Sequence, residues 1–156
     1  MRIGVNTLFL IPGEVGGSET YLRQVLLSMV PSSPLDEFVI FTNRENDQVL
    51  KNDLRNHENV RFELLDFEAS NRFCRIIREQ TELPSRVKKA KIDVLWSPGY
   101  TAVIFSPCPQ VVSILDMQYK THKDDLSLIA WVTTDILVKL AAKRCDKIIT
   151  ISDFSK

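Results

Sequence analysis

A complete strand–turn–helix–strand pattern occupies residues 3–42, which read IGVNTLFLIPGEVGGSETYLRQVLLSMVPSSPLDEFVIFT. Ile3–Phe9 begins as a short, nearly uniform apolar run, which is typical of a strand buried on both faces. Ser18–Val30 repeats apolar residues every three to four positions, which predicts a helix that ends before Pro31. Phe38–Thr42 predicts a second strand. Two strands joined by a helix indicate a right-handed crossover in a parallel sheet.

The same alternation continues along the chain. Further strands are predicted at Val60–Leu65, Asp93–Trp96, Gln110–Leu115 and Lys147–Ile151, and further helices at Asn46–Arg55, Asn71–Glu82 and Leu126–Arg144. Leu83-Pro84 is expected to interrupt the third helix, and the third strand is expected near a sheet edge. We predict a doubly wound, Rossmann-like α/β fold of six to seven parallel strands in the order 3-2-1-4-5-6, with helices on both faces.

Apolar residues predict which faces of the later helices are buried. The residues expected to face inward are Phe73, Cys74, Ile76 and Ile77 in the third helix, and Trp131, Ile136, Leu137 and Leu140 in the last. In the first helix the predicted stripe contains Tyr21, Leu22, Val25, Leu26, Met29 and Val30, and Ser18 is the predicted N-cap.

The composition limits the classes of protein to which the chain can belong. The 156 residues are 44% hydrophobic and 26% charged, which fits one globular domain and excludes a disordered chain. Twenty Lys and Arg residues balance twenty Asp and Glu residues, which argues against a nucleic-acid partner. Three cysteines without a CxxC pair favour reduced thiols in a cytoplasmic protein. No signal peptide and no spanning segment is recognised.

Four turns are expected to meet at the carboxyl edge of this sheet, where open α/β folds bind ligands. They contain Pro12–Gly17, Ser97–Tyr100, Asp116 and Ser152-Asp153. Within the first turn, the paired glycines Gly16-Gly17 would let the backbone approach a ligand closely, beside helix amides that favour phosphate. The spacing is not GxGxxG and no P-loop lysine is present, so neither a dinucleotide nor Walker-type ATP binding is expected. A turn that merely needs positive φ is the alternative.

The other residues at this edge each have two interpretations. Asp116 could hold a sugar hydroxyl or act as a base, or it could cap a turn. Tyr100 could stack on a ring or cover the end of the sheet, and Ser152 could bind an anion or cap a helix. His57 and His122 have no second ligand at metal spacing, so no metal site is expected.

Three segments together resemble the N-terminal half of group 1 (family 4) glycosyltransferases. They are GGSETYLRQVL at residues 16–26, QVVSILD at residues 110–116 and KIITISDFSK at residues 147–156. Gly16-Gly17 and the following Ser18-Glu19 match the family's first turn, and the closing Ser152-Asp153 matches its sixth strand end. Asp116 matches the aspartate of the family's His-Asp pair, whereas Leu115 stands where the family has the histidine.

The resemblance implies a GT-B enzyme made of two Rossmann-like domains facing a cleft. The N-terminal domain would hold the acceptor, and a C-terminal domain would hold the nucleotide-sugar donor for retaining transfer without a metal cofactor. Gly16, Gly17 and Ser18 would then lie against the donor phosphate or sugar. Tyr100, Asp116 and Ser152 would form the acceptor pocket, with Asp116 as the candidate catalytic residue.

Residues 1–156 are then expected to be one acceptor-side domain of a longer enzyme, because Ser152-Asp153 looks like the cap of a further helix. Without its missing C-terminal domain, the chain alone is expected to be inactive. Two alternatives stay open: a stand-alone or regulatory binding module without catalysis, and a GT-B relative such as a sugar-nucleotide epimerase. The basic stretch Arg86–Lys91 leaves peripheral contact with the inner face of a membrane open.

Overall fold

The computed structural model describes residues 1–115 and 128–150, except for the side chains of residues 128–131. The strands in this part are β1 (Arg2–Asn6), β2 (Glu37–Thr42), β3 (Val60–Leu64), β4 (Val94–Ser97), β5 (Gln110–Ser113) and β6 (Lys147–Ile149). The helices are α1 (Gly17–Ser32), α2 (Asp47–Leu54), α3 (Arg72–Lys89) and α4 (Leu128–Arg144). The described residues contain no helix with the length and apolar character needed to cross a bilayer.

The six strands form one sheet in the order β3-β2-β1-β4-β5-β6, and every neighbouring pair is parallel. This confirms the predicted α/β class, the strand order and the position of β3 at a sheet edge. Strands β1, β3, β5 and β6 end before the apolar runs that predicted them, because those runs extend into the loops beyond the carboxyl ends. The bounds of β2 and β4 differ from the predicted ones by one residue at most. Residue 151 and the start of the predicted last helix lie outside the described residues.

Alternate residues of β2 show why both faces of the sheet are covered. Phe38 and Ile40 pack in one cluster with residues of α1 and α2, whereas Val39 and Phe41 pack in another with residues of α3. Successive side chains of a strand point to opposite faces, so a uniformly apolar strand needs helices on both. The fold is therefore doubly wound.

Helix α1 begins at Gly17, two residues earlier than an N-cap at Ser18 would place it. Gly16 is the N-cap, with φ +55° and ψ −126°, and its carbonyl accepts hydrogen bonds from the amides of Glu19 and Thr20. The prediction for Ser18 was wrong because the unusual backbone of Gly16, rather than a side chain, marks the helix start. Pro31 lies inside the last turn, so its predicted place beyond the helix was also wrong.

Helix α3 continues through Pro84 to Lys89, so the predicted interruption was wrong. Leu83 and Val87 are both buried on the same side, and their contacts with the core hold the helix together across the proline. The predicted inward face was also partly wrong, because Phe73 and Ile77 are 74% and 44% exposed. The buried positions instead recur at Glu79, Leu83 and Val87.

Helix α4 lies on the same face of the sheet as α3. Val138 and Ala141 pack against Val112 and Ile114 of the β5 region, and Leu137 is also buried. Ile136 is 51% exposed, so its predicted inward position was wrong. This helix is apolar around most of its surface, and periodicity alone therefore does not choose the buried side.

Candidate functional site

A cavity of about 630 Å³ opens at the carboxyl edge of the sheet. Gly16, Gly17 and Ser18 line it beside Tyr100, so four of the predicted site residues meet there. The other residues that line the cavity are Phe9, Glu14, Val15, Tyr21, Arg72, Arg75, Gly99, Thr101, Leu115, Thr134 and Leu137. Asp116 and Ser152, the remaining predicted site residues, lie outside the described part of the chain.

The Gly16-Gly17 turn presents bare backbone to the cavity. A Cβ atom built on either glycine would meet no atom within 4 Å. Glu19 stabilises the preceding loop, since its Oε2 accepts a hydrogen bond from the Gly13 amide at 2.7 Å. The same carboxylate pairs with Arg23 at 3.0 Å. Space for a ligand therefore lies against the first amides of α1, where the helix dipole favours negative charge.

The backbone of Gly16 supports a first prediction. Replacement of Gly16 by alanine is expected to lower the free energy of unfolding by about 1 kcal/mol, because φ +55° with ψ −126° strains a residue that carries a Cβ. Gly17→Ala is the matched control, since its φ is not positive and its Cβ would meet open space. Urea unfolding of both variants measures the difference, and equal stabilities would contradict the role assigned to the Gly16 backbone.

The loop after β4 forms the opposite wall through a tight turn at Tyr100. Tyr100 has a φ of +67°, and the Thr101 amide donates to the Gly99 carbonyl at 2.8 Å across it. A three-residue turn of this kind is strained when its central residue is not glycine. The Tyr100 amide also donates to the carbonyl of Ser113 on β5 at 3.3 Å. The structure thus holds Tyr100 against the cavity by attaching its turn to the sheet.

Gly99 allows this wall to close. A Cβ atom at Gly99 would lie 2.3 Å from Cδ1 and 2.5 Å from Cγ of Phe9. Both are ring atoms near the backbone, so the ring cannot move aside freely. The absence of a side chain at Gly99 lets Phe9, which is 8% exposed, seal the floor of the cavity.

A hydroxyl of β5 positions two aromatic rings near the cavity. Trp96 Nε1 donates to Ser113 Oγ at 2.9 Å, and the Tyr21 hydroxyl lies 3.2 Å from the same oxygen. The two rings meet edge to face with centroids 6.2 Å apart. Sequence periodicity identified Tyr21 as part of the inner stripe of α1, but its place in the cavity wall depends on this contact with Ser113.

Below the Tyr100 turn lies a buried carboxylate, Glu79 of α3, which is 3% exposed. Its Oε1 accepts a hydrogen bond from Asn6 Nδ2 at 2.7 Å, and Thr101 Oγ1 lies 3.2 and 3.1 Å from its two oxygens. Burial raises the pKa of Glu79, while the hydrogen bonds from Asn6 and Thr101 and the charge of Arg75 oppose that rise. Glu79 therefore joins the end of β1 to the loop that carries Tyr100.

Arg72 and Arg75 extend into the cavity from the start of α3, and neither was among the predicted site residues. Arg72 Nη2 donates to Thr134 Oγ1 of α4. Burial, followed by repulsion from Arg75, lowers the pKa of Arg72. The sequence did contain a signal for this pair. Asn71 is a helix-capping residue type, and the two arginines that follow it three positions apart therefore fall on one face at the start of a helix.

Leu115 also lines the cavity, at 5% exposure, at the position where the resemblance implied a histidine. It gives this wall an apolar surface. Within residues 1–115 and 128–150, no group of three or more His, Cys, Asp or Glu side chains is arranged to hold a metal ion.

Comparison with known proteins identifies no relative. No protein-family model matches the chain, and neither the curated proteins nor the solved structures give a significant match.

Proposed function

We propose that this chain is the acceptor-side domain of a retaining glycosyltransferase that moves a sugar from a nucleotide-sugar donor to a glycan, lipid or small-molecule acceptor. One observation carries the proposal. The Gly16-Gly17 turn, which supplies the first motif of the resemblance, faces a cavity at the carboxyl edge of a doubly wound sheet. Ligands of open α/β sheets bind at this edge.

The walls of the cavity suit a sugar and a phosphate. The exposed backbone of Gly16 and Gly17, at the N-terminus of α1, fits a phosphoryl group, because helix amides and the helix dipole both favour an anion. Tyr21 and Tyr100 border the same space and can pack against the apolar face of a sugar ring. In this proposal Asp116 contacts the acceptor and remains the candidate catalytic carboxylate.

Transfer also requires a nucleotide pocket and further donors to the leaving diphosphate besides the amides of α1. The leaving diphosphate develops charge in the transition state, and preorganised donors are needed to stabilise it. We assign those donors to the C-terminal domain of the complete enzyme. Residues 1–156 alone are then expected to turn over no nucleotide sugar.

Leu115 favours one second candidate, a Rossmann-like binding module without catalysis. An apolar side chain at this place in the cavity can neither donate nor accept a hydrogen bond at a reacting sugar. A module of this kind would bind a small molecule in the same cavity and turn nothing over.

The deciding experiment has two steps. The coding region beyond Lys156 is sequenced, and the encoded protein is then assayed for release of nucleoside diphosphate from UDP-, GDP- and ADP-hexoses. A mixture of sugars and sugar phosphates supplies the acceptors. We expect release with one donor, and we expect Gly17→Val to lower it on the order of 100-fold by displacing the reacting groups. Ser32→Val, at the exposed far end of α1, is the control and should leave the rate unchanged.

A reading frame that stops directly after Lys156, or an encoded protein that releases nothing from any donor, would contradict the enzyme and favour the binding module.

A further inference from the structure

The start of α3 places positive charge where a helix disfavours it. Arg72 and Arg75 lie in the first turn of the helix, which contains no acidic residue. The positive end of a helix dipole favours Asp and Glu, and like charges three positions apart on one helix face repel each other. Since local preferences are most often broken at functional sites, this arrangement suggests a binding role.

The contacts of the two side chains agree with such a role. Arg75 is half-buried and lines the cavity, yet in residues 1–115 and 128–150 no side chain or carbonyl accepts a hydrogen bond from its guanidinium group. The neighbouring carboxylate of Glu79 attracts Arg75 but accepts its own hydrogen bonds from Asn6 and Thr101. Arg72 is held by Thr134. The planar donors of Arg75 are therefore available to a ligand.

The cavity as a whole adds a second source of positive potential. The N-terminal amides of α1 border it at Gly17 and Ser18, on the other face of the sheet from α3. Among the described residues that line the cavity, the acidic side chain is Glu14, which is exposed, and Glu79 lies buried beneath the wall. A small molecule that reaches across the edge of the sheet can thus meet one positive region on each side.

We propose that Arg72 and Arg75 bind a phosphoryl group, and that the acceptor of the proposed transferase is a phosphorylated sugar or polyol. The second half of this statement rests on the proposed function. Two guanidinium groups match the double charge of a phosphate monoester, and the planar fork of arginine fits phosphate oxygens two at a time. We assign this phosphoryl group to the acceptor rather than to the donor because it lies on the α3 side of the sheet, opposite the Gly16-Gly17 turn.

Calorimetric titration of the 156-residue chain tests the site, with inorganic phosphate, glucose 6-phosphate, glucose and UDP as probes. We expect glucose 6-phosphate or inorganic phosphate to bind, and glucose to bind at least about 10-fold more weakly, because charge-assisted hydrogen bonds are lost. Arg75→Gln is expected to weaken the binding of phosphate-bearing probes about 10-fold. Arg75→Lys should recover part of the loss, because it keeps the charge but not the fork.

Arg78→Gln is the matched control, since it removes one positive charge one turn further along α3. Arg78 pairs with Glu82 at 2.5 Å and does not line the cavity. Binding that Arg75→Gln weakens and Arg78→Gln does not would support the site. Equal effects of both variants, or no binding of either phosphate probe, would overturn it.

The UDP arm separates the two sources of a phosphoryl group. If Arg75→Gln weakens the binding of UDP but not of glucose 6-phosphate or inorganic phosphate, the site belongs to the donor and the acceptor assignment is overturned. Because these titrations need no turnover, the phosphate site can be supported even if the encoded protein proves to be no transferase, so the failure of the site and the failure of the proposed function are distinguishable.

Discussion

Glu79→Ala is expected to be less stable than Glu79→Gln by about 3 kcal/mol in the free energy of unfolding. Both variants remove the buried carboxyl group, so their comparison isolates the hydrogen bonds and the lost volume. Alanine leaves the amide of Asn6 and the hydroxyl of Thr101 without their buried acceptor, at roughly 1–3 kcal/mol for each group, and it adds a small cavity. Glutamine can still accept from Asn6 through its oxygen and can donate to the Thr101 hydroxyl.

Thermal unfolding at fixed pH measures this difference. In a domain of about this size, 1 kcal/mol shifts the midpoint by roughly 2–4 °C, so the two variants should differ by about 6–12 °C. Equal midpoints for Glu79→Ala and Glu79→Gln would show that the contacts with Asn6 and Thr101 do not stabilise the fold.

The parent protein should also respond to pH through Glu79. Because burial raises the pKa of this carboxyl above its ordinary value of 4.5, the folded state keeps its proton over a pH range where the unfolded chain has lost it. The contribution of Glu79 to stability therefore falls as pH rises from about 4.5 through the folded-state pKa. Glu79→Gln has no such proton, so its stability relative to the parent should increase over that range.

Gly99→Ala is expected to destabilise the protein by about 1–3 kcal/mol and to change the cavity at the same time. The new Cβ would lie 2.3 Å from Phe9 Cδ1, so the ring must shift, and Phe9 lines the cavity. Denaturant unfolding measures the loss of stability, and ring shifts of Phe9 in NMR spectra measure the movement. Gly17→Ala, whose Cβ meets no atom within 4 Å, is the glycine control and should be nearly neutral.

A double-mutant cycle identifies the cause of this effect. In a Phe9→Ala background, Gly99→Ala should cost less than half as much, because the Cγ and Cδ1 atoms that the new Cβ would contact are gone. An unchanged cost in that background would show that the Gly99 backbone, rather than its contact with Phe9, requires glycine.

The sheet was predictable because apolar runs alternate with helical patterns at a regular spacing. Buried parallel strands such as β2 must be apolar on both faces, and their right-handed crossovers leave few orders to choose from. The turns at Gly16-Gly17 and Tyr100 were therefore brought to one edge by topology alone. The strand order alone therefore predicts that these two turns border the same space, without knowledge of any side-chain contact.

The chemistry of the third helix was not predictable in the same way. Glu79 resembles a solvent-exposed residue because glutamate seldom enters a core, and only Asn6 and Thr101, far away in sequence, make its burial acceptable. Once Glu79 occupies the inner face, Phe73 and Ile77 rotate outward and Arg75 reaches the cavity. A hydrophobic stripe cannot anticipate a polar group that is satisfied by distant partners.

The segment that carries Phe9 depends on the side chains of two buried asparagines. Asn43 Nδ2 donates to the carbonyls of Leu8 and Leu10 at 3.1 and 3.0 Å. Asn46 Nδ2 donates to the carbonyls of Thr7 and Leu10 at 2.7 and 3.1 Å.

Deamidation of either asparagine would replace a donor nitrogen with a negatively charged oxygen that faces these carbonyls. A chemical change at one side-chain atom would thus repel the loop that carries Phe9 and forms the cavity floor. Deamidation begins when the backbone nitrogen of the next residue attacks the side-chain carbonyl, so the lifetime of the cavity is tied to the tight packing of Asn43 and Asn46, both of which are fully buried.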